Sequence, residues 1–383
     1  MKKEIRESFA DFKSCFSDIP DPRISRCRKH KLLDILGLCL VGVICGCDSW
    51  VEIEEYGKEK ETYLKRYFDF DNGIPSHDTI GRVMQMIKPE SLHKSLIQWT
   101  NLISTKIKGE VIAIDGKAIR GSKDTAKGKS WITMVSAWAQ DSGLVLAHEK
   151  VAEKSNEINA IPKLLDAIDV TDCIVTIDAM GTQKTIAKKI RAEKADYILA
   201  LKRNHETMYE EVEHLFNYIE KQEQIYVEND VDKGHGRIER RTTKVITIEQ
   251  ANKWMDQSDI KGWKDLESII CVEAYRDIGG KVTNSKRYYL SSLPINNPFS
   301  QKIGTLIRSH WGIENNLHWV LDVVFKEDLS QVRTGFADEN FSTIRKIAFN
   351  LLKTNKYKAS LKRKRMKAGW NNKFLSQVLN PNL

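Results

Sequence analysis

Two short apolar runs each lead into an aspartate and then a glycine. Val111-Ile112-Ala113-Ile114 precedes Asp115 and Gly116, and Cys173 to Ile177 precedes Asp178, with Gly181 three residues on. Short, largely apolar runs bounded by turn formers read as buried strands. The stretches around them complete a pattern. SWITMVSAWAQ and GLVLAHEKV are further strands divided by Asp141-Ser142-Gly143, and INAIPKLLDAI is an amphipathic helix. QKTIAKKIRAEKA is a helix, DYILALK a strand and HETMYEEVEHLFNYIE a helix. The order β-β-β-α-β-α-β-α predicts an α/β domain with a mixed sheet flanked by helices.

In such sheets ligands bind beyond strand ends, where loops expose polar groups. A carboxylate there can hold a hard cation, and two that converge can hold Mg²⁺ and leave positions for water and phosphate oxygens. Asp also simply ends strands, so a single one says little; two in equivalent places make the metal reading the stronger. A third acid is sought in RSHWGIENNLHWVLDVVFKED. Glu314, His318 and Leu321 share a helix face by i, i+4 and i+7 spacing, and Asp322, Glu327 and Asp328 are competing acids. Asp115 and Asp178 are 63 residues apart, and Glu314 lies 136 residues beyond Asp178. The β-rich stretch from about 224 to 293 therefore reads as an insertion ahead of the last helices.

Before Gly109 the chain reads as helical. KLLDILGLCLVGVICG is apolar on nearly every face, a buried helix, and Ser76 is placed to cap the helix that follows it. The net charge is +9. Nine of the 61 basic residues lie between Lys353 and Lys373, a stretch without acids; removing them leaves 52, equal to the 52 acids. A second basic cluster comprises Arg23, Arg26, Arg28, Lys29 and Lys31. Such clusters attract polyanions, nucleic acid foremost. Seven irregularly spaced cysteines, mostly inside apolar runs, read as reduced thiols, and Cys45-Gly-Cys47 is a weak metal signal. The longest apolar stretch, Leu32 to Cys47, is too short and mixed to span a bilayer. The first residues carry no apolar signal core, so a cytoplasmic, nucleoid-associated location is expected.

AIDGKAIRG, TIDAMGTQ, YILALKRNH and RSHWGIENNLHWVLDVVFKED resemble bacterial insertion-sequence transposases of the DDE class, in the H-repeat-associated group. Asp21-Pro22-Arg23, GCDSWVEIEEYG and GIPSHDTIGRV resemble that group's associated helical domain. The resemblance runs from about residue 20 to 355. It implies a ribonuclease-H-like catalytic domain with Asp115, Asp178 and Glu314 as catalytic and metal-binding triad. The expected division is an N-terminal helical, DNA-binding domain over 1–105 and the first part of the catalytic domain over 106–223. A β-rich insertion follows over 224–298, then catalytic helices over 299–355 and a basic tail over 356–383. Two Mg²⁺, with Mn²⁺ as substitute, are the expected cofactors, with no nucleotide cofactor. The expected chemistry is hydrolysis at an element end followed by transfer of the 3′-hydroxyl into target DNA. The partners are DNA, as terminal repeats and target, and a second copy of the chain on that DNA; no membrane is involved.

Lys117, Arg120, Lys202, Arg203, Asn204, His205, Arg308, His310 and His318 are the candidate DNA contacts, with His235, Arg237, Arg240 and Arg241 in the insertion as weaker ones. The broader signature of the class places Tyr and Arg ahead of the glutamate and Lys seven residues after it. Ile307, His310 and Leu321 occupy those positions here, and Arg308 and Lys326 are the nearby cations. Three other functions fit parts of the pattern: a nuclease of the same fold that cuts without joining, a DNA-binding remnant without activity, and a phosphohydrolase of small molecules.

Overall fold

The computed structural model describes residues 12–103, 108–152, 156–219, 225–234, 237–256, 260–294 and 302–380. The N-terminal part is helical: α1 Leu32–Ile44, α2 Trp50–Glu59, α3 His77–Met86 and α4 Pro89–Ile103. In α1 every residue but Leu33 is buried, as its all-round apolar sequence requires. Ser76 caps α3 by accepting from the Thr79 backbone N–H.

The α/β part follows the order read from the sequence: β1 Val111–Ile119, β2 Ile132–Ala139, β3 Leu144–Lys150, α5 Glu157–Ala167, β4 Ile174–Ile177, α6 Lys184–Ala192, β5 Asp196–Leu201 and α7 Glu206–Ile219. Strands β1, β4 and β5 pair in parallel, while β2 and β3 are antiparallel. The expected mixed α/β sheet with flanking helices and an N-terminal helical region is what forms.

The β-rich stretch is continuous with this sheet. Strands β6 Tyr226–Gly234, β7 Arg237–Thr247, β8 Ser268–Ile278 and β9 Lys281–Ser291 extend it to nine strands among the described residues, in the order β3-β2-β1-β4-β5-β9-β8-β7-β6. The join is the antiparallel pairing of β5 with β9, Ile198 opposite Ser291 and Leu201 opposite Tyr288. An insertion that supplies the next strand buries the free edge of β5, which unpaired would present open N–H and C=O groups.

The chain then forms α8 Ile303–Ser309, a π-helical turn Ile313–His318, α9 Trp319–Val323, α10 Ala337–Thr354, α11 Leu361–Trp370 and α12 Asn372–Leu379. Helix α10 is buried from Ala337 to Leu352. Asn340 donates to the Met84 and Ile87 carbonyls, and Asn350 both donates to and accepts from the backbone of Val145. One core thus joins α1–α4 with the helices from Ile313 onward and with Ala113, Trp138 and Val145 of the sheet. A second lies under α5–α7 on the opposite face. The segment read as a basic tail is folded onto this frame. Arg365 donates to the Val43 carbonyl and to Asp48, and Lys364 to the Leu352 and Asn355 carbonyls. The division points at 105, 223 and 298 fall outside the described residues.

Candidate active site

Register aligns the two aspartates. Ile114 of β1 lies opposite Ile177 of the parallel β4, so Asp115 and Asp178 follow at the same level of the sheet. Asp115 does not end its strand, however. β1 runs on to Ile119, with Asp115 opposite Ser136 of β2; what stops at Ile114 is the pairing with β4. Asp178 does end β4, and its Oδ1 accepts from the Met180 and Gly181 N–H groups.

Glu314 reaches the same place from the late helix. A cleft of about 350 Å³ is lined by Asp115, Asp178 and Glu314 together with Lys202, Arg287, Tyr289, His310 and Trp311. Glu314 lies in the π-helical turn, where a wider backbone ring shifts side chains off the ordinary helical rows. Its side chain is 56% exposed, so it is not held by burial. His318, 3% exposed, holds it: Nδ1 donates to Glu314 Oε2 at 2.9 Å and lies 3.7 Å from Asp115 Oδ2.

A carboxylate not singled out from the sequence, Glu157, stands beside the aspartates at the start of α5. Donor atoms of Asp115, Asp178 and Glu157 lie within 4.8 Å of one another, as do those of Asp115, Glu314 and His318. Electrostatics follow from this crowding. Burial, reinforced by Asp178 and Glu314, pushes Asp115 up to about 6 against the opposing pull of His318 and the Gly116 N–H. Burial first, then Asp178 and Asp115, pushes Glu157 up to about 7. The hydrogen bond from His318 holds Glu314 below the usual carboxylate range. Hard carboxylate oxygens suit a divalent cation such as Mg²⁺ or Mn²⁺.

The candidate DNA contacts divide. Lys202 is exposed on the cleft and Arg203 is exposed with its guanidinium 5.7 Å from the Tyr209 ring. Arg120 is 82% exposed, near Asp328. The others are engaged within the protein. Lys117 lies 2.7 Å from Asp322, 3.0 Å from Asp328 and 3.3 Å from Glu327, which accounts for all three competing acids. Asn204 donates to the Ala179 carbonyl and His205 to that of Thr182, bracing the loop after β4. His310 shares a hydrogen bond with Thr176, and His318 serves Glu314. Arg308 donates to Asp230 and Asp232 of β6, and Lys326 pairs with Asp48. Arg237 and Arg241 pair with Glu239, while Arg240 lies 6.0 Å from the Tyr275 ring; His235 lies outside the described residues. All seven cysteines are free thiols. Among the described residues no helix is long and apolar enough to cross a membrane.

Comparison with known proteins identifies the family. Residues 106–351 fit the family described as transposase DDE domain, and residues 13–100 the one described as DDE_Tnp_1-associated. A putative transposase, YncI, of Escherichia coli O157:H7 is 42% identical over 371 residues, covering 95% of this chain and 93% of its own length. The H repeat-associated putative transposase YhhI of Escherichia coli K12 is 39% identical over 369 residues, covering 95% and 96%. A shorter relative from the same strain, 48% identical over 69 residues that make up 18% of this chain and 82% of its own, bears the name inactive transposase YbfQ. With these matches over nearly its full length, the chain belongs to the DDE transposases of bacterial insertion sequences.

Proposed function

We propose that this transposase hydrolyses the phosphodiester at the ends of its element and joins the freed 3′-hydroxyl to target DNA, with Asp115, Asp178 and Glu314 as its catalytic carboxylates. The observation that carries the reading is the convergence of these three side chains, from β1, from the end of β4 and from the π-helical turn, on one cleft. They would hold two Mg²⁺, which supply Lewis acidity to the attacking and leaving oxygens.

The protein's own share is positional. Asp115 is held within β1 and Asp178 just past the end of β4, where its Oδ1 accepts from the Met180 and Gly181 N–H groups; His318 fixes the third carboxylate. Lys202 and Arg203 stand exposed beside the cleft, suited to the DNA backbone. In the first step a water oxygen bonds to phosphorus and the phosphorus–O3′ bond breaks, leaving a 3′-hydroxyl. In the second that 3′-oxygen bonds to a target phosphorus, displacing the target's own 3′-oxygen. One phosphodiester replaces another, so neither nucleotide hydrolysis nor a protein nucleophile is required. Two element ends must be handled together, and a homodimer on DNA is part of the proposal.

The test is cleavage and joining of element-end DNA with Mg²⁺ or Mn²⁺ by wild type, Asp115→Asn, Asp178→Asn and Glu314→Gln. Loss of both reactions in each folded variant is expected. Full activity in any of them removes that residue from the triad. Cleavage without joining of a pre-cut donor end by the wild type replaces the transposase mechanism with that of a nuclease.

A further inference from the structure

Glu157 has no counterpart in the three-acid signature, yet it stands within that site. It is the first residue of α5, which covers the sheet face opposite the N-terminal helices. One of its carboxylate oxygens lies within 4.8 Å of oxygens of both Asp115 and Asp178. Glu314 and His318 form a second grouping with Asp115, which both groupings share.

A second observation is independent of those distances. A Cβ placed on Gly116 would lie 2.0 Å from Glu157 Oε1 and 3.0 Å from Oε2, closer than real contacts allow. Gly116 is a strand residue paired with Val135, and its φ lies outside the left-handed region, so the backbone does not call for glycine. The missing side chain instead leaves space that the Glu157 carboxylate fills. That carboxylate thereby packs against the strand residue next to Asp115. A glutamate placed there only to favour the helix N-terminus would gain as much pointing into solvent. His318, 3.7 Å from Asp115 Oδ2, is the cation facing this group; Glu157 is raised by its burial and by Asp178 and Asp115, and a divalent cation is the ligand that such a set of hard oxygens selects.

We propose that Glu157 is a fourth metal-binding carboxylate, which with Asp115 and Asp178 holds one divalent cation while Asp115 and Glu314 hold the other. The inference rests on the transposase reading of the cleft and adds to it a division of labour. One cation site is built wholly from the sheet and the helix packed on it. The other depends on the late helix and on His318. The first site should therefore persist when Glu314 is neutralised, and the second when Glu157 is.

The experiment is titration of Mn²⁺ into the full-length chain, followed by calorimetry and by electron paramagnetic resonance of free Mn²⁺. Wild type, Asp115→Asn, Glu157→Gln, Glu314→Gln and Gly116→Ala are compared. The expected result is two Mn²⁺ in the wild type and neither at wild-type affinity in Asp115→Asn. Glu157→Gln should weaken one site by about 10-fold or more, and Glu314→Gln should weaken the other. Gly116→Ala, which displaces the Glu157 carboxylate but keeps its charge, should weaken the same site as Glu157→Gln, and it decides the matter if Glu157→Gln fails to fold. If Asp115→Asn loses Mn²⁺ while Glu157→Gln and Gly116→Ala bind like wild type, Glu157 is no ligand and the triad stands. If the wild type takes up no Mn²⁺, or Asp115→Asn binds like it, the metal site itself is refuted and this inference with it.

Discussion

His318 Nδ1 donates a 2.9 Å hydrogen bond to Glu314 Oε2 one turn earlier, and the two side chains differ sharply in exposure, 4% against 56%. The buried ring is the fixed partner and the glutamate the one being fixed. Without it, Glu314 would sample solvent rotamers and meet the aspartates only part of the time. Partners that orient a metal-binding group typically contribute about 10–100-fold to metal affinity or activity. His318→Asn should therefore lower Mg²⁺-dependent cleavage by roughly that factor and raise the Mg²⁺ concentration giving half the maximal rate. A variant with an unchanged Mg²⁺ dependence would show that Glu314 needs no such support.

Lys117 reads from the sequence as a DNA contact next to Asp115, but its ammonium sits among Asp322, Glu327 and Asp328 with its side chain 9% exposed. Glu327 is fully buried. Burial alone would raise its pKa, yet Lys346, Lys117 and Arg345 together hold it down at about 2. Removing one partner of a buried ion group costs about 3–5 kcal/mol, because the other charge stays buried. Lys117→Met should therefore lower the urea unfolding free energy by about 3 kcal/mol. A phosphate contact would instead leave stability unchanged and flatten the salt dependence of DNA binding.

The same distinction splits the basic C-terminal cluster. Arg365 is 5% exposed, donates to Val43 and Asp48, and lies 4.5 Å from the centre of the Phe325 ring. Lys362 and Arg363, on the same helix, are exposed. Arg365→Met should destabilise the fold by about 3 kcal/mol. Lys362→Ala with Arg363→Ala should leave the melting temperature within about 2 °C and, if that face meets DNA, reduce the salt slope of binding by about 2.

The sheet was legible because its signals are local. Four apolar residues before Asp115, and four with Thr176 among them before Asp178, set both strands, and parallel pairing then aligns the acids. Glu314 could be found from its helix face. The π-helical turn around it has no sequence signature, and the joining of β5 to β9 rests on contacts about ninety residues apart. Charge was the weakest guide. Lys117, Arg308 and Arg365 look like polyanion contacts in one dimension and are ion-paired in three. Glu157 was hidden for a different reason: an acid in the first turn of a helix is commonplace, and what marks it out is its place beside the two aspartates and against the empty Cβ position of Gly116. The tetrad that emerges therefore draws on a strand residue that could be read and a helix residue that could not.

Acid should loosen the contact between the N-terminal helices and the sheet. His93 of α4 and His148 of β3 lie with ring centres 3.8 Å apart, both buried, and His148 Nε2 shares a hydrogen bond with Thr343 of α10. Lys346, also on α10, adds to the burial that lowers His93 to about 3; burial, His93 and Lys346 drive His148 well below its usual value. Above pH ~6.5 both histidines are neutral folded or unfolded and titration contributes nothing. Between pH ~6.5 and ~3 the unfolded chain takes up protons that the folded core refuses, so stability falls by about 1.4 kcal/mol per pH unit for each histidine. Glu149 and Glu339, raised by their own burial, work in the opposite sense and blunt the overall slope. The comparison that isolates the histidine is His93→Leu against wild type, by urea denaturation between pH 7.5 and 5. The wild type should lose stability more steeply by about 1.4 kcal/mol per pH unit once below pH ~6.5. Parallel curves would mean that His93 takes up its proton in the folded protein as readily as in the unfolded chain.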